Sequence, residues 1–493
     1  MTRRTFFCAV DLGSESGRCS LVSFDGGRLY LDEVHRFSND PVGIFDTLYW
    51  DPLKLFAEVK HGLQLCAQQA NHHLHGIGVD TWGVDFALLG RDGEMLGYPV
   101  HYRDRRTSGM MEEAFKRVAK EEIFERTGIQ FMPINTLYQL LSLVLREAPV
   151  LEVAVTFLTI PDLFNFWLTG EEACEFSNAT TTQLYDQRAR GWSFPLIEKL
   201  GIPTHIFPQI VQPGNVLGRL LPSLAAEVGM KPIPVIAPVC HDTGSAVAGV
   251  PANAKNFAFI SSGTWSIVGV ETNAPVITKQ SFAYNFTNEG GVSNTVRFSK
   301  NVMGLWLIQE CRRIWAQAGN NYSYAELISM AEKARPFQSF VNPDDEAFLR
   351  TGDMIRRIQE YCKKTGQPVP EEQEEVLRCV FESLALKYRF VVNRIEKMLG
   401  YNLEVIHIVG GGTRNRLLCQ LTADATGKPV IAGPVEATTF GNVLVQALGL
   451  GLIKSHSEGR EVIGRSVDLV TYEPCYSSRW EEAYNRFQQI LSV

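Results

Sequence analysis

Apolar residues in this chain gather into short continuous runs separated by Gly, Ser, Asn and Asp. This pattern predicts buried strands over 5–10, 19–24, 76–80, 234–239, 256–260, 267–270, 404–409 and 428–432. Helical spacing appears between them. Leu53, Phe56, Val59, Leu63 and Leu65 recur through 50–70, and 371–399 carries the clearest amphipathic period, preceded by Pro370 and stopped by Gly400. Further helices are expected over 243–249, where small residues follow Asp242, over 415–425, and beyond Thr438. Another is expected over 303–310, with Met303, Trp306 and Leu307 on one face and Gln309 off it. Residues 130–183 read as connections and short helices, and 286–291 as a turn.

Two of these runs echo each other. Strand 5–10 passes through Asp11-Leu12-Gly13-Ser14-Glu15-Ser16-Gly17-Arg18 into strand 19–24. In the second half, strand 256–260 passes through Ser261-Ser262-Gly263-Thr264-Trp265-Ser266 into 267–270. Each predicts a hairpin whose tip offers backbone N–H groups and hydroxyls to a phosphate. Taken alone, either tip reads more readily as a plain β-turn, since Gly and Ser are ordinary turn residues. The pair, one per half, predicts a duplicated core whose lobes clamp one phosphorylated ligand; the period is far too long for a solenoid.

Composition narrows the class. A chain of 493 residues is long enough for two large lobes, and 45% hydrophobic with 20% charged residues is the balance of a globular protein. A net charge of -7, with no basic block, argues against a nucleic-acid surface. The ten cysteines are scattered without a C-x-x-C pair, which predicts buried thiols in a reducing cytoplasm, not disulfides or a zinc site. Asp11 interrupts the first apolar run, and the run 440–453 is short and broken by Asn442 and Gln446, so neither secretion nor membrane insertion is expected.

Candidate chemistry is confined to a few places. Asp242 stands at the mouth of strand 234–239, where a carboxylate can take a proton from a substrate hydroxyl or simply cap the next helix. Asp11, at the end of the first strand, could hold Mg²⁺ through water. Thr81 to Phe86 and Tyr102 to Thr107 set an aromatic and a Gly among alternating carboxylates and guanidiniums. That suits a polyhydroxylated ligand, or a surface salt-bridge cluster around one buried Trp. Asn301 either caps the helix at 303 or meets a ligand. Gly410-Gly411-Gly412, between strand 404–409 and helix 415–425, permits close approach of a nucleotide or makes a tight turn, and its spacing does not indicate a dinucleotide. His72, His73 and His75 lack any completing ligand and are expected in a solvated loop. Neither G-x-x-x-x-G-K-[ST] nor G-x-S-x-G occurs, with Glu15 standing where the second motif needs Ser, so a P-loop and a nucleophile elbow are disfavoured.

Taken together and in order, DLGSESGR from Asp11, DTWGVDF from Asp80, HDTGSAV from His241, SSGTWS from Ser261, KNVMGLW from Lys300 and IVGGGTRN from Ile408 resemble the FGGY carbohydrate kinases of the actin/hexokinase-like ATPase superfamily. The likeness runs over about 9–453. It implies an α/β fold of two ribonuclease-H-like lobes around a hinged cleft, with 1–245 a sugar-binding lobe, 250–455 a nucleotide-binding lobe and 456–493 an extension. Position by position, it implies Asp242 as catalytic base and Gly83, His241, Thr243 and Asn301 as sugar contacts. It likewise implies Ser14, Glu15, Ser16, Gly17, Arg18, Thr264, Gln309 and Gly411 at the nucleotide, and Asp11 at Mg²⁺. The charge of Glu15 near phosphates makes its backbone, not its side chain, the expected contact, and Gly244 departs from a common Ala. DTWGVDF and KNVMGLW, with YRDRRT from Tyr102 and GIQFMPINTLYQL from Gly128, most resemble family members that phosphorylate L-rhamnulose at C1 with Mg²⁺ and ATP. A kinase for L-fuculose or L-ribulose and a sugar-independent actin-like ATPase are the alternatives.

Overall fold

The apolar run that opens the chain becomes strand β1 (Thr5–Leu12), buried along nearly its whole length, and returns antiparallel through a tight turn as β2 (Ser16–Phe24). Around it the computed structural model, which describes residues 4–349 and 352–491, builds a sheet from β3 (Leu29–Ser38), β4 (Leu74–Thr81), β5 (Val216–Arg219) and β6 (Pro234–Ile236). The order is β3-β2-β1-β4-β6-β5, with β4 parallel to both β1 and β6, and β5 antiparallel to β6. The predicted strand 234–239 therefore stops at Ile236. Helix Pro52–Gln69, capped by the Asp51 carboxylate on the Lys54 N–H, lays Leu55, Val59, Leu63 and Cys66 on the sheet. Leu53, expected on that face, points to solvent with 53% exposure because Leu55 occupies the inward position.

The second hairpin forms β7 (Phe257–Ser262) and β8 (Trp265–Thr272), and β9 (Val296–Met303), β10 (Val405–Val409), β11 (Val430–Ala432) and β12 (Val470–Tyr472) extend its sheet in the order β9-β8-β7-β10-β11-β12. Here β7 is antiparallel to β8, β10 lies parallel to β7 and β11, and β12 is antiparallel to β11. The first four strands repeat the first sheet's order, while the two outer strands follow each other in the opposite chain sense and Thr287–Gly290 adds a seventh strand beyond β9, so the duplicated core predicted from two turns is present in the backbone. The amphipathic stretch near 371–399 is helix Gln373–Leu399, opened by a reciprocal Glu372–Glu375 capping box and closed by Gly400 at φ 75°.

Three local expectations change. Residues 286–291 are not a free turn, because Thr287–Gly290 is a fully buried strand. Met303 ends β9 and does not begin a helix; the helix runs Trp306–Gln317, and Asn301 therefore lies within a strand and caps nothing. The break between strand and helix falls at Gly304, where a Cβ would come within 2.6–2.8 Å of Ser266, Trp265 and Gly263.

The compact units interleave along the chain. One comprises Met1–Pro251, Glu271–Phe298 and Ala437–Ser466, the other Ala252–Val270, Ser299–Glu436 and Val467–Val493. The reason is helix Ala437–Gly449, which crosses helix Asp242–Ala248 so closely that a Cβ on Gly441 would lie 1.8 Å from the Ser245 carbonyl oxygen. Asn442 and Gln446, the polar residues that broke the apolar run, are buried and donate to the Asp80 carboxylate (2.5 Å) and the Cys8 carbonyl (3.1 Å). Among the described residues no helix is long and apolar enough to cross a membrane.

Candidate active site

The first unit gathers Gly83, His241, Asp242 and Thr243 through backbone pairing. At the end of β4 the Thr81 N–H donates to the Cys240 carbonyl (2.9 Å), and Thr81 bridges His241 in parallel, so the chain after β6 runs beside the Trp82-Gly83 turn. His241 takes the N-cap position and Asp242 the first helical residue of Asp242–Ala248, so Asp242 is not the cap. Its Oδ1 accepts from the Thr243 N–H and, at 3.1 Å, from the Thr243 hydroxyl, while its side chain remains 29% exposed. Gly244 is required here, since a Cβ would lie 2.3 Å from Val239 Cγ1.

A buried carboxylate holds this segment from behind. Glu175 accepts from the N–H groups of Ser177 (2.9 Å), Asn178 (3.2 Å) and Cys240 (3.1 Å) and from the Ser177 hydroxyl (2.5 Å). The Ser177 oxygen in turn accepts from the His241 N–H at 3.1 Å. Burial pushes Glu175 up to about 7, against the hydrogen bonds that lower it, and burial likewise raises neighbouring Asp162 to about 7.

Gly83 sits in a strained turn. Val84 adopts φ 70°, unusual for a β-branched residue, and is held there by three bonds. Its N–H donates to Thr181 (3.1 Å), and its carbonyl accepts from the Thr136 hydroxyl (2.6 Å) and the Gln139 amide (3.2 Å). Asp85 is no member of a surface salt-bridge cluster. Fully buried, it accepts from both indoles, Trp50 (2.6 Å) and Trp82 (3.0 Å), from the Tyr102 N–H (3.2 Å) and from Gln139 (3.0 Å). Burial raises its carboxyl to about 6 despite these donors.

Asp11 pairs across the sheet with Asp80 and meets Arg18 Nε at 3.1 Å. Asp80 is held well above the usual carboxylate range by burial, then by the charge of Asp11 and, further off, of Asp242, with Asn442 and Arg18 opposing. Asp11, Asp80 and Asp242 are thus electrostatic neighbours. In the loop 13–16 the carbonyls turn to protein donors: Ser16 O to the Gly13 N–H, Glu15 O to the Asn39 N–H and Gly13 O to the Asn39 amide. The side chain of Glu15 is exposed.

In the second unit the tip Gly263-Thr264 is tied to the helix start, with the Thr264 carbonyl accepting from Gly304 (3.1 Å) and Trp306 (3.2 Å). One turn along, Gln309 keeps a buried Oε1 without a hydrogen-bond partner. Gly410 to Gly412 abut the same hairpin, since a Cβ on Gly412 would lie 2.0 Å from Ser262 Oγ, whereas Gly411 faces open space. Thr264 thus lies at the hairpin tip, Gln309 in the helix tied to it and Gly411 in the loop whose flanking glycines touch Ser262, while Asn301 lies on β9 in this unit.

Among the described residues no group of three or more His, Cys, Asp or Glu could hold a metal ion. The single carboxylate of Asp11, hard oxygen donors with Arg18 alongside, still fits a Mg²⁺ that keeps most of its waters and binds chiefly to phosphates.

Residues 6–249 match the N-terminal domain, and 258–450 the C-terminal domain, of the FGGY family of carbohydrate kinases. This chain belongs to the FGGY family of carbohydrate kinases. As an FGGY kinase it is similar to "Rhamnulokinase" of Bacteroides thetaiotaomicron, at 45% identity over 98% of this chain and 99% of the relative. It is also similar to "Rhamnulokinase" of Oceanobacillus iheyensis, at 43% identity over 94% and 97%. Solved structures share the two-lobed actin/hexokinase-like fold. A xylulose kinase from Lactobacillus acidophilus superimposes with TM-score 0.81 at 17% identity, covering 99% of this chain and 96% of that one. Glycerol kinase from Plasmodium falciparum with ADP gives 0.77 at 14% identity, covering 99% and 98%.

Sequence reasoning missed Glu175 and Ser177, which bond the Cys240 and His241 backbone; both lay in a stretch read as connections, where an isolated carboxylate among small and apolar neighbours is the only signal.

Proposed function

We propose that this chain transfers the γ-phosphoryl group of ATP to the C1 hydroxyl of L-rhamnulose, giving L-rhamnulose 1-phosphate and ADP. The observation that carries the sugar is the full-length similarity to proteins named Rhamnulokinase. The chemistry follows from Asp242. Thr243 and His241 approach its Oδ1, which leaves Oδ2 to accept the C1 proton. As the C1 oxygen forms its bond to the γ-phosphorus, the bond to the β,γ-bridging oxygen breaks and ADP leaves. Gly83, whose missing side chain keeps the Thr181 side clear, would meet the sugar with His241, Thr243 and Asn301. Ser14, Glu15, Ser16, Gly17 and Arg18 would hold the phosphates by backbone and guanidinium, and Thr264, Gln309 and Gly411 the remainder of the nucleotide.

Mg²⁺ on the phosphates, held through water by Asp11, would supply neutralisation of their charge. In this reading the first unit is the sugar lobe and the second the nucleotide lobe. The ten cysteines are free and nine are buried, which supports work in the reducing cytoplasm.

The test is ADP release from Mg²⁺-ATP with L-rhamnulose, L-fuculose, L-ribulose, D-xylulose, glycerol or no sugar. A clear preference for L-rhamnulose is expected. Preference for another sugar overturns the substrate, and turnover indifferent to every sugar overturns the kinase mechanism.

A further inference from the structure

Behind His241 lies an ion pair that the motifs do not include. Arg297, on β9 within the first unit, is completely buried. Its Nε donates to the Gly290 carbonyl (2.9 Å), and its Nη2 reaches both Glu289 Oε2 (3.0 Å) and His241 Nδ1 (3.0 Å). Glu289 Oε2 lies 3.2 Å from the same His241 nitrogen, and its Oε1 is fixed by the Thr287 hydroxyl at 3.2 Å. Three groups therefore close a triangle on Nδ1, while Nε2 of the ring faces Asp242 Oδ1 at 3.5 Å.

The triangle is anchored to elements that carry the site. The Gly290 N–H donates to Thr180 (2.9 Å), one residue from the Thr181 side chain that meets Gly83. The guanidinium itself packs on the turn holding Asp242, since a Cβ on Gly244 would approach Arg297 Cζ at 3.4 Å. Nη1 is buried without a hydrogen-bond partner, so the guanidinium is not arranged for its own satisfaction. Buried ion pairs add little net stability over apolar residues of the same volume.

We propose that Glu289 and Arg297 are positioning residues that fix the orientation and tautomer of His241, so that its Nε2–H is always presented toward Asp242 and the sugar. With Arg297 donating, Nδ1 is an acceptor and the neutral ring carries its proton on Nε2. With the ring charged, Nδ1–H donates to Glu289 and Nε2 again carries a proton. In both states the same donor faces the site. Burial alone would raise the Glu289 carboxyl, but Arg297 and then His241 hold it down at about 2, so it remains an anion throughout the working range.

This inference rests on the sugar-kinase reading. Its test therefore uses whichever sugar the wild-type enzyme turns over fastest, so that an error in the sugar appears in the wild type and not in the variants. Steady-state kinetics are compared for Glu289→Gln, His241→Gln and the double variant. Glu289→Gln should raise the sugar KM about 10-fold, the scale of one charged hydrogen bond, with the ATP KM unchanged. In the His241→Gln background the same change should do almost nothing, because its effect passes through the ring. Should Glu289→Gln not fold, Glu289→Asp, which keeps the charge and withdraws the carboxylate by one methylene, carries the same comparison. An unchanged sugar KM, or an equal penalty in both backgrounds, overturns the proposal. So does a fall in melting temperature and active fraction with both KM values intact. A wild type without sugar-dependent turnover removes the parent reading and the inference with it.

Discussion

Gly441→Ala tests whether the close crossing of two helices sets the position of the Asp242 carboxylate, the proposed base. In an open helix this change stabilises by roughly 1 kcal/mol, because Ala is the better helix former. Here the new methyl would start 1.8 Å from the Ser245 carbonyl oxygen and 2.8 Å from the Gly249 nitrogen. Both are backbone atoms, so no rotamer change relieves the contact. Reaching van der Waals separation opens the crossing by about 1.5 Å, at a strain of about 1–3 kcal/mol that outweighs the propensity gain. The displaced element is Asp242–Ala248, and a misplacement of about 1 Å at a reacting group costs on the order of 100-fold in rate. The assay pairs thermal unfolding with kcat, using Gly464→Ala as the control, since its Cβ would meet only Pro251 at an ordinary 3.6 Å. The expected result is a lower melting temperature and a kcat reduced by about two orders of magnitude for Gly441→Ala, with neither in the control. A Gly441→Ala enzyme as stable and as fast as wild type would refute the reasoning.

Two further outcomes follow from the site. Asp242→Asn should keep ATP binding and the fold while lowering kcat by about 10²–10⁴-fold, the range for loss of a general base; near-native turnover would remove Asp242 from that role. Asp162 and Glu175 are raised in the folded state to about 7 from ordinary values of 3.8 and 4.5. Their contribution to stability is therefore complete below about pH 4 and is lost as pH rises through about 7. The urea midpoint should fall between pH 5 and 7, and Asp162→Asn should remove up to about 1.4 kcal/mol per pH unit of that slope. An unaltered slope in the variant would show that Asp162 is not raised.

Much of the candidate site was legible in the chain because it is written in short-range chemistry. The two hairpins were visible as apolar runs around Gly/Ser turns, and Asp242 as a carboxylate between a strand and small residues. Asp85 was visible only as a charge near aromatics, the usual mark of a solvated cluster, yet the fold surrounds it with two indoles and an amide. Thr287-Asn288-Glu289-Gly290 has the composition of a turn, and nothing local tells that Arg297 and His241 wait to pair its carboxylate. The helix expected at Met303 starts later because Gly304 must pass under the backbone of the hairpin tip, a constraint set by residues some forty positions earlier.

The sequence by itself determined most of the elements and the duplication and singled out the candidate reacting groups, since each depends on periodicity or on a few adjacent residues. Tertiary structure decided which distant segments join each unit and how the reacting groups are held. Helix Ala437–Gly449 joins the first unit because two glycines let backbones touch and two buried amides donate to Asp80 on β4 and to the Cys8 carbonyl on β1. The carboxylates of Glu175 and Glu289 are drawn to the His241 segment because burial makes each seek specific partners, and alongside local donors each finds one remote along the chain, Cys240 for Glu175 and His241 for Glu289.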